Sequence, residues 1–159
     1  MFLKEFEIRW NDLDANKHLA NVSYLAYAGE TRMAFLQSMG ISYQTLIELG
    51  IGPIVFYEHL YYFKEALPGQ NIRVSVSLAG MSKGGTFFEF EHNYYDEKGT
   101  NLARCEMMGA WMNLKTRKLA ELPSTLLSQF QEVNKSVHYK ELTTKDTRKW
   151  NKIPKDLKL

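Results

Sequence analysis

The sequence predicts an α+β domain in which a five-stranded antiparallel sheet covers one long helix. Three observations carry this prediction. Five segments are predicted as β-strands, two of them by clear period-two alternation, one 18-residue segment has helical character, and the later strands are joined by turns too short for parallel crossovers. A chain of 159 residues can bury one substantial core, so a single domain is expected.

The elements follow one another in a simple order. Apolar and polar residues alternate over residues 2–10, which predicts the first strand. A polar loop leads into a helix predicted over Val22–Met39 and ended by Gly40. Its first half is apolar nearly all round, so it is expected to be enclosed. A short helix at Ser42–Leu49 comes next, and the remaining strands are predicted at Ile54–Phe63, Ile72–Leu78, Phe87–Tyr95 and Leu102–Leu114.

Residues 1–122 are interpreted as the folded domain, and residues 123–159 as a short helix from Pro123 to Val133 followed by a basic tail. Residues 1–134 carry 12 basic and 15 acidic side chains, whereas residues 135–159 carry 8 and 3. The tail could dock an acidic partner such as an acyl carrier protein, or it could simply be solvated. It lacks the interleaved aromatic residues that would favour nucleic acid.

Composition narrows the cellular context. The sequence contains no apolar run of membrane-spanning length, and charge appears too early for a signal peptide. Cys105 is the only cysteine, which rules out an internal disulfide and argues against a cysteine zinc site. We therefore expect a cytoplasmic protein that does not associate with membranes and binds no metal or other cofactor.

The polar loop between the first strand and the long helix is rich in groups that donate, accept or titrate. It holds two aspartates, Asp12 and Asp14, together with asparagines and His18, and the helix is expected to begin near Asn21 or Ser23. A helix start offers free backbone N–H groups and a partial positive charge, which favour a polarised carbonyl. The combination indicates attack on an acyl carbonyl.

The run Arg-Trp-x-Asp-x-Asp-x-Asn-x-His-x-x-Asn-x-x-Tyr, residues 9–24, resembles the opening motif of hotdog-fold thioesterases. It is most similar to the group of 4-hydroxybenzoyl-CoA thioesterase-like and fatty acyl-ACP thioesterases, and a weaker similarity of pattern extends over residues 5–122. The resemblance implies a hotdog fold, in which the sheet wraps around the central helix. It also implies a homodimer or homotetramer with active sites between subunits.

The resemblance assigns roles to the loop residues. Asp14 holds the place of the essential acid, which acts as nucleophile or as general base, although an aspartate in a loop more often caps a turn. Asn16 and His18 match a polar pair placed near the scissile bond. The Asn21 N–H would donate to the thioester carbonyl, and Tyr24, which closes the motif, is grouped with Asn21 as substrate-binding.

A second carboxylate, Glu65, ends the segment Tyr62-Phe63-Lys64-Glu65 at a predicted strand end. The segment resembles the place of a catalytic glutamate in acyl-ACP thioesterases, although Ala66 stands where plant members often have cysteine. The alternative is a solvated strand end. If Glu65 is the base, Asp14 would orient the surrounding groups instead.

Two further features have open interpretations. Related enzymes often meet the pantetheine or nucleotide of CoA at a turn like the one formed by Ser82, Lys83 and Gly84, but a plain hairpin turn is the simpler reading. A set of methionine and aromatic residues is expected to be mostly core, with some members lining an acyl pocket; the set is Phe87, Phe88, Phe90, Met107, Met108 and Trp111.

The function favoured by the sequence is hydrolysis of an acyl thioester, carried by CoA or by acyl carrier protein, to a free acid and a thiol. One alternative keeps the fold and changes the reaction to hydration or dehydration of an acyl thioester. The other alternative is a non-catalytic acyl-CoA-binding module, which would bind without turnover.

Overall fold

The computed structural model describes residues 1–157; Lys158 and Leu159, the last residues of the predicted basic tail, lie outside the described residues. The strands within these residues are β1 (Phe2–Glu7), β2 (Ile51–Tyr62), β3 (Asn71–Met81), β4 (Phe87–Tyr95), β5 (Asn101–Asn113) and β6 (Lys135–Glu141). The α-helices in the same range are α1 (Asn21–Ser38), α2 (Tyr43–Glu48) and α3 (Ser124–Gln131), and short 3-10 turns occupy Trp10–Asp12 and Thr144–Asn151.

Five strands form an antiparallel sheet in the order β1-β3-β4-β5-β2, which confirms the predicted α+β architecture. The sixth strand was not predicted. β6 pairs in parallel with residues 78–81 of β3, beyond the point where β1 stops pairing at Val76. The tail therefore extends the same side of β3 that β1 begins to cover.

Helix α1 lies across the inner face of the sheet. Phe35 and Leu36 of the helix pack with Phe88, Phe90 and Trp111 of the sheet in the largest apolar cluster. Nearer the start of the helix, a second cluster holds Tyr24, Tyr27 and Ala28. Because these buried positions recur every three or four residues, they form one helical face.

The expectation that the first half of α1 is enclosed is wrong for the isolated chain. Val22 is 66% exposed and Ala26 is also exposed. The end of the helix follows the prediction, since Gly40 has a φ of +77° just after the C-cap residue Met39.

The C-terminal segment, residues 142–150, crosses the outer face of the sheet. Leu142 is buried there with Phe87, Met108 and Ala110, and Lys149 donates to the Glu106 carboxylate at 2.9 Å. A Cβ on Gly80 would lie 2.8 Å from Leu142 Cδ2 and 3.0 Å from the Lys140 carbonyl oxygen. The segment can approach β3 this closely only because residue 80 has no side chain.

We expect Gly80→Ala to destabilise the protein by about 1–3 kcal/mol through overpacking against Leu142. Leu142→Ala should cost about 2–5 kcal/mol by leaving a cavity. Chemical denaturation of both single variants and the double variant gives the test. The double variant should lose less than the sum, because truncating Leu142 relieves most of the clash. Strict additivity would show that the two residues do not contact each other.

Candidate active site

The loop before α1 is a tight hairpin closed by its own backbone. Leu13 and Leu19 form an antiparallel bridge, the Asp14 N–H donates to the His18 carbonyl at 2.8 Å, and the Lys17 N–H donates to the Asp14 carbonyl at 3.1 Å. Lys17 sits in the left-handed region with φ of +62°. The turn places the side chains of Asp14 and His18 at its two ends.

The Asp14 carboxylate uses only one of its oxygens to hold this turn. Oδ1 accepts hydrogen bonds from the Asn16 N–H at 2.8 Å and the His18 N–H at 3.0 Å. Oδ2 accepts no hydrogen bond from any residue among 1–157, and the residue is exposed. The side chain is therefore fixed as a turn cap, while its second oxygen faces solvent.

The segment after β2 runs beside the loop. The Leu19 N–H donates to the Ala66 carbonyl at 2.8 Å, and His18 Nε2 lies 3.5 Å from Glu65 Oε1. The side chains of His18 and Glu65 are 36% and 67% exposed, so the contact is well solvated. It is an ion pair only when the imidazole is protonated.

Asp12, in contrast, is a buried structural residue. Its carboxylate accepts hydrogen bonds from the Arg9 backbone N–H and side chain, and from the Tyr27 hydroxyl at 2.8 Å. These bonds, led by the one from the Arg9 side chain, hold the pKa of Asp12 below its ordinary value of 3.8.

The start of α1 differs from the prediction in its cap. The N-cap residue is Ala20, and no side chain caps the helix. Ser23 instead donates its hydroxyl to the Asp12 carbonyl at 2.9 Å, and the Ala20 N–H donates to the same oxygen at 2.8 Å. By helix geometry the N–H groups of Asn21 and Val22 have no intrahelical acceptor. Among residues 1–157 they are the free donors at this end of the helix.

These elements enclose an open cleft of about 550 Å³ at the β1–α1 end of the sheet. It contains four of the predicted site residues on the loop and helix, together with Glu65 across from them. Its walls are Asp14, His18, Leu19, Asn21, Tyr24, Tyr62, Phe63, Lys64, Glu65 and Ala66. Asn16 lies in the same turn but outside this lining.

Lys64 gives this cleft a positively charged side chain that was not predicted from the sequence. Lys64 lies next to Glu65 in the chain and lines the same wall. Its position beside a suspected catalytic residue was the only available signal, since a lysine at a strand end is ordinarily just solvated.

The glycine turn lies at the opposite end of the sheet in the same chain. β1 runs antiparallel to β3 with Glu7 opposite Asn71, so the loop meets the start of β3, whereas Ser82, Lys83 and Gly84 follow its end. The Ser82 hydroxyl accepts the Phe87 N–H at 2.9 Å, and a Cβ on Gly84 would lie 2.5 Å from Glu121 Oε1. Within one chain these residues do not join the cleft.

A second, apolar cavity of about 260 Å³ lies between α1 and the sheet. Its lining includes four members of the methionine and aromatic set, namely Phe88, Phe90, Met107 and Trp111. Phe87 and Met108 of that set belong to the outer cluster instead. The strand alternation therefore divides the set between the two faces of the sheet.

One charged side chain lines this apolar cavity. Arg32 donates to Glu58 Oε1 at 3.2 Å, and its guanidinium lies 3.4 Å from Nε2 of the buried His92. Nδ1 of His92 lies 2.9 Å from the Ser75 carbonyl oxygen. Burial, aided by the charge of Arg32, lowers the pKa of His92 to about 3, so this imidazole is neutral at physiological pH.

Within residues 1–157, no group of three or more histidine, cysteine, aspartate or glutamate side chains is arranged to hold a metal ion. No helix in the same range combines the length and apolar character needed to cross a membrane. Cys105 is fully buried, and burial raises the pKa of its thiol to about 12.

A sheet wrapped around one long helix, with a polar loop at the helix start, defines a hotdog-fold protein. The chain belongs to the thioesterase-like superfamily, whose family model matches residues 8–130. Family membership supports thioester hydrolysis as the general reaction class. None of the curated protein sequences matches the chain significantly.

Solved structures share the fold at low identity. A 1,4-dihydroxy-2-naphthoyl-CoA thioesterase from Synechocystis has a TM-score of 0.73 at 20% identity, with 82% of this chain and 96% of that chain covered. A DHNA-CoA thioesterase from Staphylococcus aureus has a TM-score of 0.75 at 16% identity, covering 82% and 88%. A hypothetical S. aureus protein in complex with CoA has a TM-score of 0.75 at 19% identity, covering 86% and 87%.

The low pKa of Asp12 generates a pH prediction. A carboxylate whose folded pKa is depressed stabilises the protein above its unfolded pKa, and this stabilisation is lost as pH falls through the folded value. Asp12→Asn should therefore lower the free energy of unfolding by about 1–3 kcal/mol near neutral pH. The difference from wild type should shrink as pH falls below 3.8.

Thermal unfolding followed from pH 7 to pH 3 tests this expectation. Glu97→Gln, which removes an exposed carboxylate, is the control and should track wild type throughout. A stability difference for Asp12→Asn that stays constant with pH would refute the electrostatic explanation.

Proposed function

We propose that the protein hydrolyses acyl thioesters of CoA in the cleft that contains Asp14. The observation that carries the proposal is the convergence of three different functional groups. Asp14 with its free oxygen, Asn21 with its unpaired N–H at the start of α1, and the His18–Glu65 pair all border one cavity. Each is suited to a different requirement of acyl transfer to water.

The helix start would bind the thioester carbonyl. The Asn21 N–H points out of the first turn without an intrahelical acceptor, and the helix dipole adds a partial positive charge there. As the carbonyl carbon is attacked, negative charge grows on the oxygen and strengthens this hydrogen bond. Interactions that strengthen in the transition state are those that accelerate the reaction.

Asp14 would act first. In the nucleophilic route its free oxygen forms a C–O bond to the acyl carbon, the C–S bond breaks, and the CoA thiolate leaves with the electron pair. Water then attacks the resulting mixed anhydride, and the carboxylate is regenerated with the free acid. In the general-base route Asp14 removes a proton from water as the water oxygen attacks the thioester carbon. The C–S bond then breaks, the CoA thiolate leaves with the electron pair, and Asp14 returns its proton to the thiolate.

The His18–Glu65 pair would manage protons in either route. A water in the cleft that contacts the imidazole would pass a proton to it, and Glu65 would stabilise the imidazole as it becomes charged. Asn16 would keep Asp14 oriented through its backbone N–H. Lys64 at the cleft wall offers a cation to the phosphates of the carrier.

CoA is the carrier that we propose. Acyl carrier protein presents the same pantetheine group and is the alternative carrier. The names of the structurally similar thioesterases specify CoA esters, and one similar structure holds CoA itself. Ser82, Lys83 and Gly84 remain candidates for carrier binding only if a second subunit brings that end of the sheet to the cleft.

A homodimer through β2 would join the cleft to the apolar cavity. The outer edge of β2 has no partner strand in residues 1–157, and Val55 and Tyr62 are 49% and 55% exposed. Two copies of β2 paired antiparallel would set the end of one strand beside the start of the other. Pro53 and Val55, which line the apolar cavity, would then lie near the cleft of the partner subunit.

The first experiment is release of free thiol from a panel of acyl-CoA esters, from short aliphatic through long-chain to aromatic. Asp14→Asn should lower kcat by roughly 10²- to 10⁴-fold, because it removes the nucleophile or general base. Asp96→Asn is a matched control, since Asp96 Oδ1 also caps a hairpin by accepting two backbone N–H groups, of Lys98 and Thr100. Its turnover should equal that of wild type.

Glu65→Gln, with Glu97→Gln as its control, tests whether Asp14 or Glu65 is the reacting carboxylate. A smaller loss for Glu65→Gln than for Asp14→Asn supports Asp14 as the reacting carboxylate, and the reverse ranking would assign the base to Glu65. Binding of acyl-CoA without turnover of any ester would contradict hydrolysis and favour a binding module. Because Cys105 is fully buried, native protein should contribute little thiol background.

The dimer has its own test. Val55→Lys places a charge on the β2 edge and should give a monomer with reduced turnover. Val137→Lys is the control, because Val137 is 95% exposed on the outer strand β6. Light scattering coupled to size exclusion measures the mass. If the wild-type protein is a monomer and hydrolyses esters, a site shared between two subunits is refuted.

A further inference from the structure

Tyr24 is a buried tyrosine whose hydroxyl has no hydrogen-bond partner among residues 1–157. The residue is 3% exposed and lines the cleft. Its ring packs edge-on against Tyr62 and Tyr94, with ring centroids 5.3 and 5.1 Å away. Its hydroxyl makes no hydrogen bond within residues 1–157, although buried tyrosine hydroxyls usually find a partner.

The two neighbouring tyrosines show the usual behaviour. The Tyr94 hydroxyl donates to the Tyr24 carbonyl at 2.7 Å, and the Tyr27 hydroxyl donates to Asp12 Oδ2 at 2.8 Å. Tyr24 is thus the exception among three tyrosines of one cluster. An unused donor on an ordered side chain at a cleft is a group available to a ligand.

The oxygen of Tyr24 reaches the cleft. The fully buried side-chain atoms that lack a hydrogen-bond partner in residues 1–157 are Asn101 Oδ1, Arg104 Nε and Trp111 Nε1. The Tyr24 oxygen is not among them, so it retains access to solvent. Since Tyr24 lines the cleft, that access leads into it.

Helix geometry directs this hydroxyl to the helix start. Tyr24 lies three residues after Asn21, on the same face, and helical side chains lean toward the N-terminus of their helix. The ring therefore inclines toward the turn that carries the free Asn21 N–H. Burial first, then the charges of Tyr62 and Asp14, raise the pKa of Tyr24 to about 12, so the phenol remains a donor at neutral pH.

We propose that the Tyr24 hydroxyl is a catalytic hydrogen-bond donor to the thioester oxygen, beside the Asn21 N–H. This assignment rests on the proposed function and makes the oxyanion site two-sided, with one donor from the backbone and one from a side chain. The phenol keeps its proton throughout. Its hydrogen bond strengthens as the carbonyl oxygen becomes negative and weakens again when the C–S bond breaks.

A purely structural role would be carried by the aromatic ring alone. The ring fills space between α1 and the sheet, and phenylalanine would fill it equally well. Because no residue among 1–157 accepts from the hydroxyl, its removal leaves no protein group unsatisfied. Tyr24→Phe therefore separates the hydroxyl from the packing.

The experiment compares Tyr24→Phe with Tyr94→Phe in turnover and in thermal unfolding. Tyr24→Phe should lower kcat by on the order of 10²-fold, the size of effect seen when one oxyanion donor is removed, with little change in KM or melting temperature. Tyr94→Phe removes a buried hydrogen bond, so it should lower the melting temperature and largely preserve kcat. An unchanged kcat for Tyr24→Phe, or loss of rate and of stability in parallel, would overturn the assignment.

A binding measurement keeps this test independent of turnover. Two octanoyl-CoA analogues are used, one with a methylene in place of the thioester sulfur, which keeps the carbonyl, and a thioether that lacks the carbonyl. Wild type should bind the ketone more tightly, and Tyr24→Phe should lose most of that preference. Equal preference in both proteins overturns the Tyr24 assignment alone. A wild type that neither hydrolyses esters nor prefers the ketone overturns the proposed function as well.

Discussion

The polar loop and the start of α1, which together form much of the candidate site, both depend on the hydrogen bonds made to Asp12. Its carboxylate joins the end of the first strand, through Arg9, to the middle of α1, through Tyr27. Its backbone carbonyl accepts hydrogen bonds from the Ala20 N–H and the Ser23 hydroxyl, and these bonds fix where the helix begins. A buried carboxylate without partners would be costly, and the four donors that surround Asp12 remove that cost. The orientation of the free helix N–H groups relative to the loop is thus set by a residue that does not itself line the cleft.

Asp14 has a structural role that leaves one of its oxygens available for the proposed chemistry. A carboxylate has two oxygens, and the turn of residues 14–18 uses one of them. The turn hydrogen bonds restrict the side chain, so the second oxygen is held in place without a further partner. Such preorganisation lowers the cost of reaching the reactive geometry. The two interpretations of Asp14 from the sequence are therefore compatible, and only measurement of turnover separates a cap from a cap that also reacts.

Local patterns allowed most of the fold to be predicted. Period-two alternation located β1 and β3, and the turns that bound them located the other three strands. Gly40 marked the end of the long helix because only a residue tolerant of positive φ fits there. What failed depended on contacts distant in sequence. The cap of α1 could not be predicted because the Asp12 carbonyl, eleven residues before Ser23, takes the hydroxyl that would otherwise cap the helix. β6 was missed because its partner is 57 residues away at one point of the pairing, Leu78 with Lys135, and its own residues are mostly exposed.

In the candidate site, too, the residues close together in sequence were predicted, whereas features that depend on contacts distant in sequence were not. Asp14, His18 and Asn21 lie within eight residues, so a motif could identify them, and the chain path brings Glu65 to them through one backbone hydrogen bond from Leu19 to Ala66. The sequence could not predict that the Tyr24 hydroxyl lacks a hydrogen-bond partner among residues 1–157, because this depends on whether neighbouring strands place an acceptor beside it. The same holds for Arg32, which looks like an ordinary helix surface residue until Glu58 and His92 are placed beside it.

The C-terminal segment constrains how subunits could meet. It lies beyond the region that the family model matches, and it is anchored by Leu142 in the outer apolar cluster and by ion pairs such as Lys149–Glu106. A Trp150 ring 4.7 Å from the ring of His59 extends the cover toward β2. Since this segment covers part of the outer face of the sheet, packing of two sheets face to face there would first require the segment to leave. The edge of β2 and the exposed side of α1 at Val22 and Ala26 need no such rearrangement, and both border the surfaces that the proposed dimer would bury.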